Sequence, residues 1–250
     1  MQARFLLGPA GSGKTFRCLA EIRTALKAQP AGPPLILLAP KQATFQLERQ
    51  LLADTELHGF SRLRILSFER LAEFVLTELR LGAPPALSEE GRVMVLRALL
   101  RRHAGQLQRF DQSARRPGFA KELSGLLSEL QSHGHSPARL GELSQRADLP
   151  AELRAKLHDL GILLGAYRDW LAAHQLQDAN HLLEAAAAAL PPKSQLAIAA
   201  LWMDGFAEMT PAEVDLLAAV LPHCERATLA FCLDHEPPAD ESWLSIWSVV

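Results

Sequence analysis

The chain has 250 residues, of which 48% are hydrophobic, and it carries 26 Lys and Arg against 28 Asp and Glu. No apolar run reaches the ~18 residues of a membrane-spanning helix, so no membrane partner is expected, and no basic leader precedes an apolar stretch at the N-terminus. Three cysteines without metal-ligand spacing, Cys18, Cys224 and Cys232, read as free thiols in a reducing cytoplasm, with Cys18 and Cys232 on apolar faces.

The net charge of −2 hides an asymmetry: residues 1–121 hold 19 basic and 10 acidic side chains, residues 122–250 hold 7 and 18. Such polarity suggests that the first half faces a polyanion.

Taken in order, Ala3 to Leu7 reads as a short buried strand and Lys14 to Gln29 as a helix with Cys18, Leu19, Ile22, Ala25 and Leu26 on one face. Between them lies Gly8-Pro9-Ala10-Gly11-Ser12-Gly13-Lys14-Thr15, a full match to G-x-x-x-x-G-K-[ST] in the strand–loop–helix context the motif requires. The glycines let backbone N–H groups turn inward, and the helix N-terminus adds its positive dipole end. Lys14 is placed to reach the β- and γ-phosphates of a nucleotide, and Thr15 to ligate Mg2+. After the Gly32-Pro33-Pro34 turn, Leu35 to Ala39 has the continuous apolar character of a central parallel strand. Lys41 to Ala53 reads as a helix, Arg64 to Phe68 as a strand, and Glu69 to Leu81 as a helix. Strand–helix alternation with short connections predicts a parallel sheet.

The rhythm changes at Gly82-Ala83-Pro84-Pro85. From Ser88 to Leu190 the apolar spacing is helical throughout. Helices are expected to start at Ser88, at Pro117-Gly118, at Ala151 and at Asp178, and together they form an all-helical insertion. Strand character returns at Leu196 to Met203, which closes on Asp204. A capping box at Thr210 to Glu213 opens the helix Pro211 to Leu221, and Ala227 to Leu233 is a further strand. The amphipathic stretch Glu241 to Val250 has no terminator, so the chain reads as the front of a longer protein.

A phosphate-binding loop needs a metal carboxylate, and Asp204 ends a buried strand where open α/β sheets bind ligands. The alternative is an Asp that initiates a turn before Gly205. A general base to polarise water is missing: Gly205 follows Asp204, and Glu208 lies four residues on. Binding without appreciable turnover is the expectation. A second candidate surface runs from Arg92 to Lys121, with Arg97 and Arg101 one helical turn apart and Arg115 and Arg116 nearby, opposed by Asp111 alone. It could hold nucleic-acid phosphates, with Phe110 and Phe119 stacking on bases. It could equally be a solvated helix face with Phe119 in the core. The nine histidines are scattered and read as loop residues.

The ordered set of the phosphate loop, Ala39-Pro40-Lys41-Gln42-Ala43-Thr44-Phe45, Leu66-Ser67-Phe68-Glu69-Arg70-Leu71-Ala72, Ser113-Ala114-Arg115-Arg116-Pro117-Gly118-Phe119 and Trp202-Met203-Asp204-Gly205-Phe206 resembles the N-terminal part of the AddB/RexB family. These are B subunits of the bacterial AddAB (RexAB) helicase-nuclease, built like UvrD-type superfamily-one helicases. The resemblance spans nearly the whole chain. It implies ATP and Mg2+ as cofactors, with Gly8 to Thr15 on the nucleotide and Thr15 and Asp204 on the metal. It implies single-stranded DNA contact at Lys41, Gln42, Thr44 and Phe45, and the same reading adds Ser67 and Phe68. It also implies an A subunit as partner, and work on double-strand breaks in the cytoplasm, where the complex resects ends and responds to a recombination hotspot. The family's C-terminal nuclease domain with its iron–sulfur cluster has no counterpart in these residues. Gly205 stands where active helicases carry a catalytic Glu, and no glutamine motif precedes the loop; both departures suit a non-motor subunit.

The expected architecture is α/β: a P-loop (RecA-like) parallel sheet flanked by helices, in two parts (1–84 and 193–250), interrupted by a helical insertion subdomain (85–192). The expected function is the nucleotide- and DNA-binding front of a helicase/exonuclease B subunit. A stand-alone P-loop nucleotide kinase with a helical lid is the alternative.

Overall fold

The computed structural model describes residues 1–53, 59–81, 85, 87–114, 116, 118–191, 194 and 196–233. The amphipathic stretch Glu241 to Val250 lies outside the described residues. The chain divides into two compact units, one made of residues 1–82 and 183–250 and the other of residues 83–182.

In the first unit, β1 (Gln2–Gly8), β2 (Leu35–Leu38), β3 (Leu63–Leu66), β4 (Ile198–Met203) and β5 (Cys224–Cys232) form one sheet in the order β1-β5-β4-β2-β3. Every pairing is parallel. The all-apolar β2 and β4 are buried along their whole length, as central parallel strands must be when helices cover both faces. Alternation divides β2: Leu35 and Leu37 join a core with Leu19, Ile22 and Leu26 of α1 (Lys14–Ala28) and Leu47 and Leu51 of α2 (Thr44–Leu52). Ile36 and Leu38 are equally buried on the other face. There α3 (Phe68–Glu78) packs against α9 (Pro211–Val220).

The helix starts follow local chemistry. Ser67 Oγ accepts the Arg70 N–H and caps α3. Thr210 and Glu213 exchange side-chain and backbone bonds in a complete capping box, with Pro211 at the first helical position. The segment expected as one helix from Lys41 begins instead with a 3-10 turn, Lys41–Ala43, because Pro40 sets an extended entry and the Ala43 N–H bonds back to the Pro40 carbonyl. The last strand starts at Cys224, earlier than the apolar run suggests, since Glu225 and Arg226 are exposed while the strand backbone pairs.

The second unit holds α4 (Glu89–Arg102), α5 (Phe119–Ser132), α6 (Pro137–Ser144) and α7 (Ala151–Ala173), with no strand among its described residues. The division from the first unit falls inside α8 (Ala179–Ala188). Its core gathers Leu96, Leu99 and Leu100 of α4, Leu123 and Leu127 of α5, and Leu160, Leu163, Leu164 and Tyr167 of α7. Helix α6 was not anticipated. Ser136 caps it through the Arg139 N–H, and Pro137 opens it. It lies close on α7 because Gly161 has no Cβ: one placed there would sit 3.4 Å from the Pro137 carbonyl oxygen.

Candidate nucleotide-binding site

Strand register builds the site. Phe5 of β1 and Met203 of β4 both pair with Leu229 of the intervening β5. Asp204 therefore leaves the sheet just below the level at which Gly8 opens the loop, at the carboxyl end of the parallel strands. The loop turns through Gly11 (φ 81°) and Gly13 (φ 84°), left-handed conformations that disfavour any side chain. A Cβ at Gly8 would lie 2.7 Å from Ser12 Oγ, so the first glycine is required by closeness and the later two by dihedral angle.

Two side chains define the chemistry. Lys14 Nζ donates to the Gly8 and Pro9 carbonyl oxygens, both at 2.7 Å, and to Ser12 Oγ at 3.2 Å, so its ammonium sits over the loop. Thr15 Oγ1 donates to Asp204 Oδ2 at 2.5 Å across 189 positions of sequence. The hydroxyl and carboxylate expected to share a divalent cation are thus brought together, and Asp204 is buried. The oxygen pair, the ammonium and the left-handed glycines fit a Mg2+–polyphosphate group.

Around them lies a cleft of about 890 Å³. Residues 10–16 and Asp204 to Ala207 line it, joined by Arg23 and by Gln46 and Gln50 of α2. Arg23, whose Nη2 donates to the Gln50 carbonyl, was missed; its signal was position, since Phe16, Leu19 and Arg23 repeat along one face of α1. Phe16 is 73% exposed on this wall. Cys232, expected on an apolar face, is instead exposed and lines the cleft where β5 ends. Cys18 is buried; burial first, then the Asp204 and Glu21 charges, push its thiol up to about 12, so it is inert at neutral pH.

The turn after Asp204 is built for glycine. Gly205 has φ 87°, and a Cβ there would lie 3.3 Å from Pro40 Cδ. Glu208 is exposed and is not among the residues that line the cleft.

The family model described as "ADDB, N-terminal" matches residues 5–249. The chain belongs to this AddB N-terminal family. It is 42% identical over 240 residues to the B subunit of the ATP-dependent helicase/deoxyribonuclease of Heliobacterium modesticaldum, covering 94% of this chain and 19% of that protein. It is 41% identical over 236 residues to the protein of the same name from Symbiobacterium thermophilum (92% and 20%). Over 237 residues it is 40% identical to that of Desulforudis audaxviator (94% and 20%). The chain spans about a fifth of the length of these relatives.

Among the DNA-contact candidates of this AddB-family chain, Lys41, Gln42 and Phe45 are exposed, Phe45 by 68%. Thr44 is half-buried and donates to the Lys41 carbonyl. Lys41 stands 3.9 Å from Glu69, and the Arg49 guanidinium lies 6.0 Å from the centre of the Phe45 ring. Ser67 and Phe68 are different. Both are buried; Ser67 is the α3 cap and Phe68 packs against Phe206 with ring centres 5.1 Å apart, so their side chains have structural duties rather than a free face for DNA. In the helical unit, Phe110 is buried and meets the half-buried Phe119 edge to face at 5.3 Å, which removes both from base stacking. Arg97, Arg101 and Arg116 are exposed; Arg115 lies outside the described residues. His133 ends α5 as its C-cap rather than lying in a loop.

Proposed function

We propose that the Gly8–Thr15 loop and Asp204 bind ATP with Mg2+, and that the chain is the nucleotide- and DNA-binding front of a helicase/exonuclease B subunit working in double-strand break repair and recombination. The observation that carries the nucleotide reading is the Thr15–Asp204 contact at the mouth of the glycine turn. Thr15 and Asp204 would hold the metal, which neutralises charge on the phosphate oxygens. Lys14 and the loop amides would hold the phosphates. Phe16 and Arg23 offer the cleft wall a ring face and a cation.

Turnover is proposed to be slight. The chain places no carboxylate beside Asp204 to orient water, and loss of such a base costs about 10²–10⁴ in rate. The names of the relatives favour an assembly with a catalytic A subunit and favour this reading over a stand-alone phosphotransferase. Lys41, Gln42 and Phe45 supply an exposed cation, amide and ring suited to single-stranded DNA, on the segment that also contributes Ala43 and Gln46 to the nucleotide cleft. Cytoplasmic work on DNA accords with a chain whose described helices include none long and apolar enough to cross a membrane.

Calorimetric titration of Mg–ATP should give saturable binding that Lys14→Ala weakens at least tenfold. Steady-state ATPase with single-stranded DNA should stay well below about one turnover per second. Absence of binding would remove the nucleotide reading. A DNA-stimulated rate of several per second that Lys14→Ala abolishes would show a motor and overturn the low-turnover part.

A further inference from the structure

Basic side chains in the helical unit fall into two groups. Arg109 holds Glu152 at 2.8 Å, Arg139 holds Glu142 at 3.0 Å, Arg146 holds Asp148, and the buried Arg92 faces Asp178 at 3.5 Å. Arg97, Arg101, Arg116 and Lys121 have no such partner among the described residues, and all four line one cleft of about 680 Å³. Asp111 is the single carboxylate among the lining residues. Arg97 and Arg101 come from consecutive turns of α4, Lys121 from the first turn of α5, and Arg116 from the connection between those helices. Their floor is apolar, with Val93, Leu100 and Ala120.

The connection that shapes this cleft is held by a dedicated carboxylate. Asp159 of α7 is fully buried; its Oδ1 accepts the Gln108 N–H and its Oδ2 the Arg109 and Phe110 N–H groups, each at 2.8 Å. The Phe110–Phe119 ring pair then ties the connection to the start of α5. Four uncompensated cations are thus kept together on a rigid frame. Like charges so gathered repel, and solvent alone screens them; a polyanion relieves that repulsion. The two α4 arginines are about 6 Å apart along the helix axis, set by four residues at 1.5 Å each, a spread that suits neighbouring phosphates better than one small anion.

We propose that this cleft binds the phosphodiester backbone of a nucleic-acid strand, as a second contact separate from Lys41 to Phe45. The proposal rests on the reading of the chain as DNA-binding. With every contact made to phosphate, binding is independent of sequence and steep in salt.

The test is fluorescence anisotropy of a labelled oligothymidine with the intact chain, across a salt series. Arg97→Glu with Arg101→Glu, and separately Arg116→Glu with Lys121→Glu, should each weaken binding roughly tenfold near ~0.1 M salt. Each should flatten the slope of log affinity against log salt by about 0.7 per lost contact. Arg97→Lys with Arg101→Lys should retain both. If the unaltered chain binds and both reversed pairs keep its affinity and slope, the cleft is overturned while DNA binding stands. If the unaltered chain binds no DNA, both fall, and the Mg–ATP titration still judges the nucleotide site. Displacement of the oligonucleotide by polyglutamate at equal charge would show a general acidic-ligand surface and would also overturn the proposal.

Discussion

Gly205 sits one peptide from the metal carboxylate, where a motor enzyme would carry the group that orients water. Its left-handed φ of 87° and the 3.3 Å approach to Pro40 mean that the turn was shaped around hydrogen. A left-handed conformation costs an ordinary residue about 1–2 kcal/mol, and the proline ring cannot swing aside as a flexible side chain would. Gly205→Glu should therefore lower stability by roughly 1–2 kcal/mol in urea titration and leave ATPase at its basal level. A gain of DNA-stimulated turnover in that variant would show that one missing carboxylate, not the turn, silences the site.

At the scale of elements, helix α1 is fastened to the sheet by one carboxylate. Arg4, Thr228 and Trp202 stand in register on β1, β5 and β4. Glu21 of α1 accepts from Arg4 Nη2 at 2.6 Å, from Trp202 Nε1 at 3.1 Å and from Arg17 Nε at 3.3 Å. Burial pushes the Glu21 carboxyl up, but these bonds together outweigh it and hold it below the usual carboxylate range. A lowered value means that the ionised form stabilises the fold. The contribution is complete above the ordinary carboxylate range and is lost as pH falls through the depressed value. Glu21→Gln should cost about 1 kcal/mol at pH 7, allowing for solvent around Arg4. The gap between variant and parent should close in acid, and urea titrations at neutral and acid pH read it directly. A gap of equal size at both would mean that the charge is not what fastens the helix.

Across the whole molecule, the helical unit has its own core and its own buried charge. Arg92 lies over the Tyr167 ring at 5.0 Å, reaches Gln131 at 2.7 Å and faces Asp178, which also accepts the His181 N–H at 2.9 Å. Removing one partner of a buried pair leaves the other charge uncompensated, at a cost of about 3–5 kcal/mol. Asp178→Ala should therefore destabilise the helical unit by roughly 3 kcal/mol and expose α4, α5 and α7 to hydrogen exchange, with Mg–ATP affinity unchanged. Protection lost first in β1, β4 and β5 would contradict a separate core. The pairing of Arg92 was not legible in the sequence, because nothing local in a run of arginines says which one will be buried.

The sequence by itself determined the periodic and the local. The strand–glycine loop–helix opening, the apolar β2 and β4, the Thr210 capping box and the helical run between them are each written in residues near one another, where dihedral preference and side-chain alternation act. Family membership was legible in the same way, from motifs in a fixed order. Only the tertiary structure decided what depends on distant contacts: that Thr15 meets Asp204, that Phe68 and Phe119 are packed while Phe45 is not, and that Arg97, Arg101, Arg116 and Lys121 converge while their neighbours are paired. A spacing rule sees one element at a time, whereas burial and charge pairing are set by whichever element folds against it.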